Sequence, residues 1–170
     1  GYSVVTDYFD SIVNHDPNFI FAHLNLSSAN SLFAGRPDRT VDLLSQAIET
    51  VTPANPSYPF FLWTYKATDE ILFLGNLEAA QNSYETAAKW ASMREDELGD
   101  ELAKRYSQTA QFLASDPDPT QAQFGAWMTT LALAKDSKTQ VYILEQLKEL
   151  GAKITVGSNG ELDIKLPERA

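Results

Sequence analysis

Cysteine is absent from all 170 residues. Disulfides, thiolate zinc sites, iron–sulfur clusters and cysteine nucleophiles are therefore excluded, while the compartment stays open. Histidine occurs only as His15 and His23, too few for most imidazole metal sites or acid–base catalysis. Positive charge is scarce: 13 Lys+Arg stand against 23 Asp+Glu, a net charge of −10. So acidic a chain is a poor nonspecific binder of phosphate backbones or anionic lipid, and no nucleic-acid partner is expected. No run reaches about 18 uncharged apolar residues, so no direct membrane insertion is expected of this segment. No P-loop, G-x-G-x-x-G or G-x-S-x-G motif occurs. These absences argue against an enzyme, and neither cofactor nor metal is expected. The chain begins Gly1-Tyr2-Ser3 without Met, which reads as a fragment or a processed product. The localisation is open, because a signal or anchor could precede Gly1.

What is present is ordinary globular material. Hydrophobic residues make up 44% and charged residues 21%, which rules out wholesale disorder. Apolar residues recur at intervals of three and four. Val5, Phe9, Ile12 and Val13 predict a short first helix. Phe19, Ala22, Leu26, Ala29 and Phe33 predict a second over 17–34. Further helices are predicted over 38–51 (Val41, Leu44, Ile48, Val51), 57–74 (Phe60, Trp63, Ala67, Ile71, Leu74) and 76–91 (Leu77, Ala80, Tyr84, Ala87). Three more follow over 96–114 (Leu98, Leu102, Tyr106, Ala110), 119–134 (Phe124, Trp127, Met128, Leu131) and 138–150 (Val141, Leu144, Leu147). Asp16-Pro17, Asn55-Pro56 and Asp118-Pro119 read as capped, proline-led helix starts. Asn76 suits a cap after Gly75, and Ser137-x-x-Gln140 and Asp118-x-x-Gln121 suit capping boxes. The expected fold class is all-α: about eight helices in stacked hairpins over 1–151.

Residues 152–170 form a separate expected element. After Gly151 strict alternation begins, with Ile154, Val156, Leu162, Ile164 and Leu166 separated by Lys153, Thr155, Asp163 and Lys165. A two-residue turn at Asn159-Gly160 would oppose Val156 and Asp163 and mix the faces. A three-residue loop, 158–160, opposes Val156 with Leu162 and Ile154 with Ile164, so a short β-hairpin of that register is predicted. An isolated hairpin is marginal, so it should pack near Leu147 or Leu150, and its edges could take a strand from a partner or a second copy.

The segments Gly35–Val51 and Gly75–Ala91 are alike. Thr40, Leu44 and Ala47 in the first match Ala80, Tyr84 and Ala87 in the second, at a spacing of 40 residues. On the preceding helices, His23, Leu26, Ser27 and Asn30 match Thr64, Ala67, Thr68 and Ile71. In these positions the chain resembles a divergent tetratricopeptide repeat (TPR) protein, whose pattern is W-x2-L-G-x2-Y, an alanine-centred second helix and a proline about every 34 residues. Ser27 and Thr68 stand where that family has glycine, its Trp and Tyr are replaced, and Gly35 sits one residue late. The resemblance covers roughly residues 5–91.

The resemblance implies a protein-binding scaffold with a concave groove lined by the first helix of each pair. Its lining would be Phe21, Leu24, Ser28 and Ser31, then Leu62, Tyr65, Asp69 and Leu72. Family members that clamp a carboxylate tail use Lys, Arg and Asn there, so a C-terminal carboxylate ligand is disfavoured. The acidic run Glu95, Asp96, Glu97, Asp100 and Glu101 reads as a solvated helix start. The expected function is a non-enzymatic protein–protein interaction module binding a protein or peptide partner. The alternatives are a self-associating structural domain and, more distantly, a small-ligand-binding or enzymatic helical domain.

Overall fold

The computed structural model describes residues 37–54 and 58–167. The two helices expected before Gly35, and the Asn55-Pro56 start, lie outside the described residues. Six helices and one hairpin are described: α1 Pro37–Thr50, α2 Phe60–Leu72, α3 Leu77–Ser92, α4 Glu97–Ala114, α5 Pro119–Leu133, α6 Ser137–Glu149, β1 Lys153–Val156 and β2 Leu162–Lys165. The chain divides into two compact units, one up to Asp116 and one from Pro117 onward. The fold is thus mostly helical, with a small antiparallel sheet near its C-terminal end.

Helix boundaries follow local chemistry. Asn76 caps α3 by accepting the Ala79 N–H at 3.0 Å, and Asp96 caps α4 by accepting from Gly99 at 2.8 Å. Asp118 caps α5 by accepting from Thr120 at 2.8 Å, with Pro119 opening the helix. Each side chain satisfies a donor that the first turn leaves free. Two expected starts are corrected. The cap of α6 is Asp136, accepting from Thr139 at 2.9 Å, so Ser137 is already helical. Helix α2 starts at Phe60, three residues later than expected, because Tyr58 adopts a left-handed φ of 58° and only Pro59 enters helical geometry. Between α2 and α3, Gly75 (φ 63°) allows the Asn76 N–H to reach back to the Glu70 carbonyl at 2.8 Å.

In the first unit each helix packs against the next: α1 on α2, α2 on α3, α3 on α4. Leu44, Ala47 and Val51 from the α1 end meet Leu62 of α2 in one apolar cluster. Between α2, α3 and α4, Tyr106 lies 6.2 Å from the Phe60 ring and 6.1 Å from the Tyr84 ring. In the first turn of α4, Gly99 lets the helix approach the end of α3 closely, since a Cβ there would sit 2.7 Å from the Ala91 carbonyl oxygen.

In the second unit α5 packs on α6, with Trp127 edge-on to Tyr142 at 6.0 Å and Ile143 and Leu147 fully buried. Helix α5 buries its alanine side, Ala122 and Ala126 with Trp127, while Phe124, Met128 and Leu131 are half-buried. The hairpin has the expected register: Val156 opposes Leu162 and Ile154 opposes Ile164. Gly160 takes the left-handed conformation (φ 80°) in the three-residue loop. Ile154, Ile164 and Leu166 are half-buried, whereas Val156 and Leu162 at the tip are exposed.

Candidate functional site

Helix α2 concentrates the candidate residues because it carries apolar side chains on more than one side. Such a helix is buried between neighbours or lines a groove. Leu62 is fully buried in the cluster with Leu44, Ala47 and Val51. Tyr65 is half-buried and packs on the same cluster, beside α1. Burial raises the pKa of its phenol, so the hydroxyl stays protonated at neutral pH. Asp69, one turn on, is buried at 3% exposure, and Leu72 is half-buried. The four positions thus share α2 but differ in access, with Tyr65 and Leu72 the reachable pair. Phe21, Leu24, Ser28 and Ser31 lie outside the described residues.

On its other side α2 holds a polar knot that the sequence reading did not single out. Glu70 is 2% exposed. Its Oε1 accepts from Ser83 of α3 at 2.8 Å and from the Lys66 ammonium at 3.1 Å. Lys66 also sits 5.5 Å from the centre of the Trp63 ring, which meets Trp90 edge-on at 5.8 Å. Two buried atoms here have no hydrogen-bond partner, Glu70 Oε2 and Trp63 Nε1. Through Ser83 this carboxylate ties α2 to α3, and the Lys66 ammonium lies against it as its counter-charge. One signal was available. On a helix with apolar residues all round, Lys66 and Glu70 at i and i+4 have little solvent to face.

At the far end of α2, Arg94 stacks over the Tyr58 ring at 4.5 Å and binds Asp96 with two nitrogens, at 2.6 and 3.3 Å. The Arg94 side chain and the Gly99 N–H together hold the Asp96 carboxyl below its ordinary range. The rest of the acidic run is solvated: Glu95, Glu97, Asp100 and Glu101 are exposed around the start of α4. This arrangement orders a turn and presents no paired carboxylates for acid–base work. Among the described residues, no group of three His, Asp or Glu could hold a metal ion, and no helix is long and apolar enough to cross a membrane. No family model, no curated protein and no solved structure matches the chain.

Proposed function

We propose that the chain is a non-enzymatic protein-binding module of TPR-like helical hairpins, recognising its partner through the half-buried side of α2 that carries Tyr65 and Leu72. One observation carries the reading. The two triplets spaced 40 residues apart have equivalent environments: Thr40, Leu44 and Ala47 are fully buried, as are Ala80 and Ala87, with Tyr84 at 6%. Equivalent burial of equivalent positions, together with helices that pack on their chain neighbours, is the behaviour of a repeat stack. Such stacks offer surface rather than catalytic groups, and function is argued from that surface. Tyr65 has the amphipathic character common at binding hot spots, and Leu72 extends its apolar strip two turns along the helix.

The test compares affinity capture from the native cell by the wild-type chain and by Tyr65→Ala, with melting curves of both. Expected is a stoichiometric partner that the variant loses about tenfold or more, beyond what its melting temperature accounts for. Equal recovery of that partner by both chains, or no partner above background, would overturn the reading.

A further inference from the structure

The outer edge of β2 carries an inference that does not rest on the reading above. In the hairpin loop Gly157 N–H donates to the Glu161 carbonyl at 2.8 Å, and Gly160 N–H donates to the Gly157 carbonyl at 3.0 Å. Residues 157 and 161 are therefore a hydrogen-bonded pair. Antiparallel ladders alternate such pairs with non-bonded ones. In the observed register, Thr155–Asp163 and Lys153–Lys165 are then bonded inside the hairpin, and Val156–Leu162 and Ile154–Ile164 are not. The peptide groups of Leu162 and Ile164 consequently point to the outer edge, and Leu166 continues their series. Pro167 belongs to the inward series, so its missing N–H leaves that edge uninterrupted. Among the described residues, the strand partner of β2 is β1 alone.

We propose that two copies of the chain associate by antiparallel pairing of their β2 strands about a twofold axis at Ile164. Few symmetric registers satisfy both the outward peptide groups and the two faces of the sheet. An axis at Asp163 opposes two aspartates, and an axis at Lys165 opposes two lysines, both destabilising. An axis at Ile164 sets Ile164 on its own copy, Leu162 opposite Leu166 and Asp163 opposite Lys165, the last two occurring twice. The edge is thus complementary to itself in charge as well as in apolar face. The β1 edge is not: its face-consistent pairing about Ile154 opposes Lys153 with Thr155. Pairing through β2 closes a four-stranded sheet and propagates no further along that edge.

Three features of the hairpin support a second copy as the occupant. Leu162 is 48% exposed, and pairing places it beside Leu166 of the copy. Lys153 and Lys165 are opposed within the hairpin; Lys165 already holds Asp163 of its own strand at 3.0 Å, and pairing brings a second carboxylate, Asp163 of the copy, to the two lysines. A cleft of about 770 Å³ lies at the end of β2, with Phe124, Leu150, Leu166 and Pro167 on one part of its wall and Asp118, Thr120 and Gln121 on another. Leu162 of the copy would arrive at the Leu166 and Pro167 side of this mixed cleft.

Sedimentation equilibrium of the full chain tests this. The wild type should show a reversible dimer. Asp163→Lys and Lys165→Asp each set like charges across the axis twice, and each should raise the dissociation constant about tenfold or more. The double exchange Asp163→Lys/Lys165→Asp should restore dimerisation. Mixing the two single variants should give a heterodimer, because all cross-axis pairs are then opposite in charge. Circular dichroism of each variant controls for folding, since neither position contributes to the apolar face. A wild type that stays monomeric at submillimolar concentration overturns the proposal. So does a dimer whose affinity ignores both single exchanges, because that dimer uses another surface.

Discussion

Glu70 shows how much one buried carboxylate can fix. Its Oε1 receives both Lys66 and Ser83, so removing the cation leaves a charge at 2% exposure with one hydroxyl for company. Lys66→Met is expected to destabilise the fold by about 2–3 kcal/mol, because an uncompensated buried charge is costly. The double variant Lys66→Met/Glu70→Met removes charge and counter-charge together and should regain most of that loss, leaving only the Ser83 hydroxyl to turn to a carbonyl one turn back. Urea unfolding of the three chains decides the matter: a double variant as unstable as the single would show that the loss comes from Lys66's own contacts, such as that with the Trp63 ring, and not from a stranded charge. Tyr106 is a second residue with a measurable signature. Burial, reinforced by neighbouring Tyr84, pushes its phenol from 10.0 up to about 12. The unfolded phenol ionises first, so between those values the folded chain binds the extra proton. Its contribution to stability is whole below pH 10.0 and lost as pH rises toward about 12. Tyr84 and Tyr65 shift in the same direction. Alkaline unfolding followed by near-ultraviolet phenolate absorbance should therefore begin above pH 10, and Tyr106→Phe should flatten the stability loss in that window.

At the scale of elements, glycine position decides the sign of a substitution. A Cβ on Gly99 would press 2.7 Å from both the Ala91 carbonyl oxygen and the Arg94 Cβ, forcing α4 away from the end of α3. Gly125 lies in α5 with nothing within 4 Å of where a Cβ would sit. Gly99→Ala is expected to cost about 1–3 kcal/mol by overpacking, whereas Gly125→Ala should stabilise by about 0.5–1 kcal/mol through helix propensity. Thermal melts of the pair check both signs at once. Helix bounds were legible because they rest on local signals. Asn76, Asp96 and Asp118 each cap the helix that follows, and the three-four spacing within each helix repeats many times. The hairpin register was legible for the same reason, since one turn and two faces determine it. What escaped were contacts between elements. Nothing local in Gly99 announces that α3 ends against it, and nothing in Ser83 announces a buried glutamate on α2. The start of α2 escaped because Tyr58 takes a left-handed backbone that its side chain does not favour. Of the groove residues, membership of α2 followed from periodicity. Burial of Leu62 and Asp69 depends on what faces them, which one helix's pattern does not encode.

For the molecule as a whole, the hairpin tests how small a core can be. The second unit runs from Pro117 and contains two helices and two short strands. Among its described residues, Ile143 and Leu147 of α6 are fully buried, and Ala122, Ala126 and Trp127 of α5 nearly so. A core of that size is marginal by itself. The hairpin adds Ala152 at 9% exposure, with Ile154, Ile164 and Leu166 half-buried. It is also tied directly to α6, because the Ala152 N–H donates to the Leu147 carbonyl at 3.0 Å. Ending the chain after Gly151 removes that bond and exposes the apolar surface those side chains covered. The truncated chain is expected to lose hydrogen-exchange protection along α5 and α6, first at the amides around Ile143 and Leu147. Unchanged protection there would mean that α5 and α6 hold each other through Trp127 and Tyr142, with the hairpin as an appendage. Loss of protection in both helices would make the strands part of the core that supports them. Comparing the truncated chain with the Asp163 and Lys165 exchanges separates the two consequences of that placement. Those exchanges leave Ala152, Ile154, Ile164 and Leu166 in place, so protection in α5 and α6 should survive them even where self-association does not.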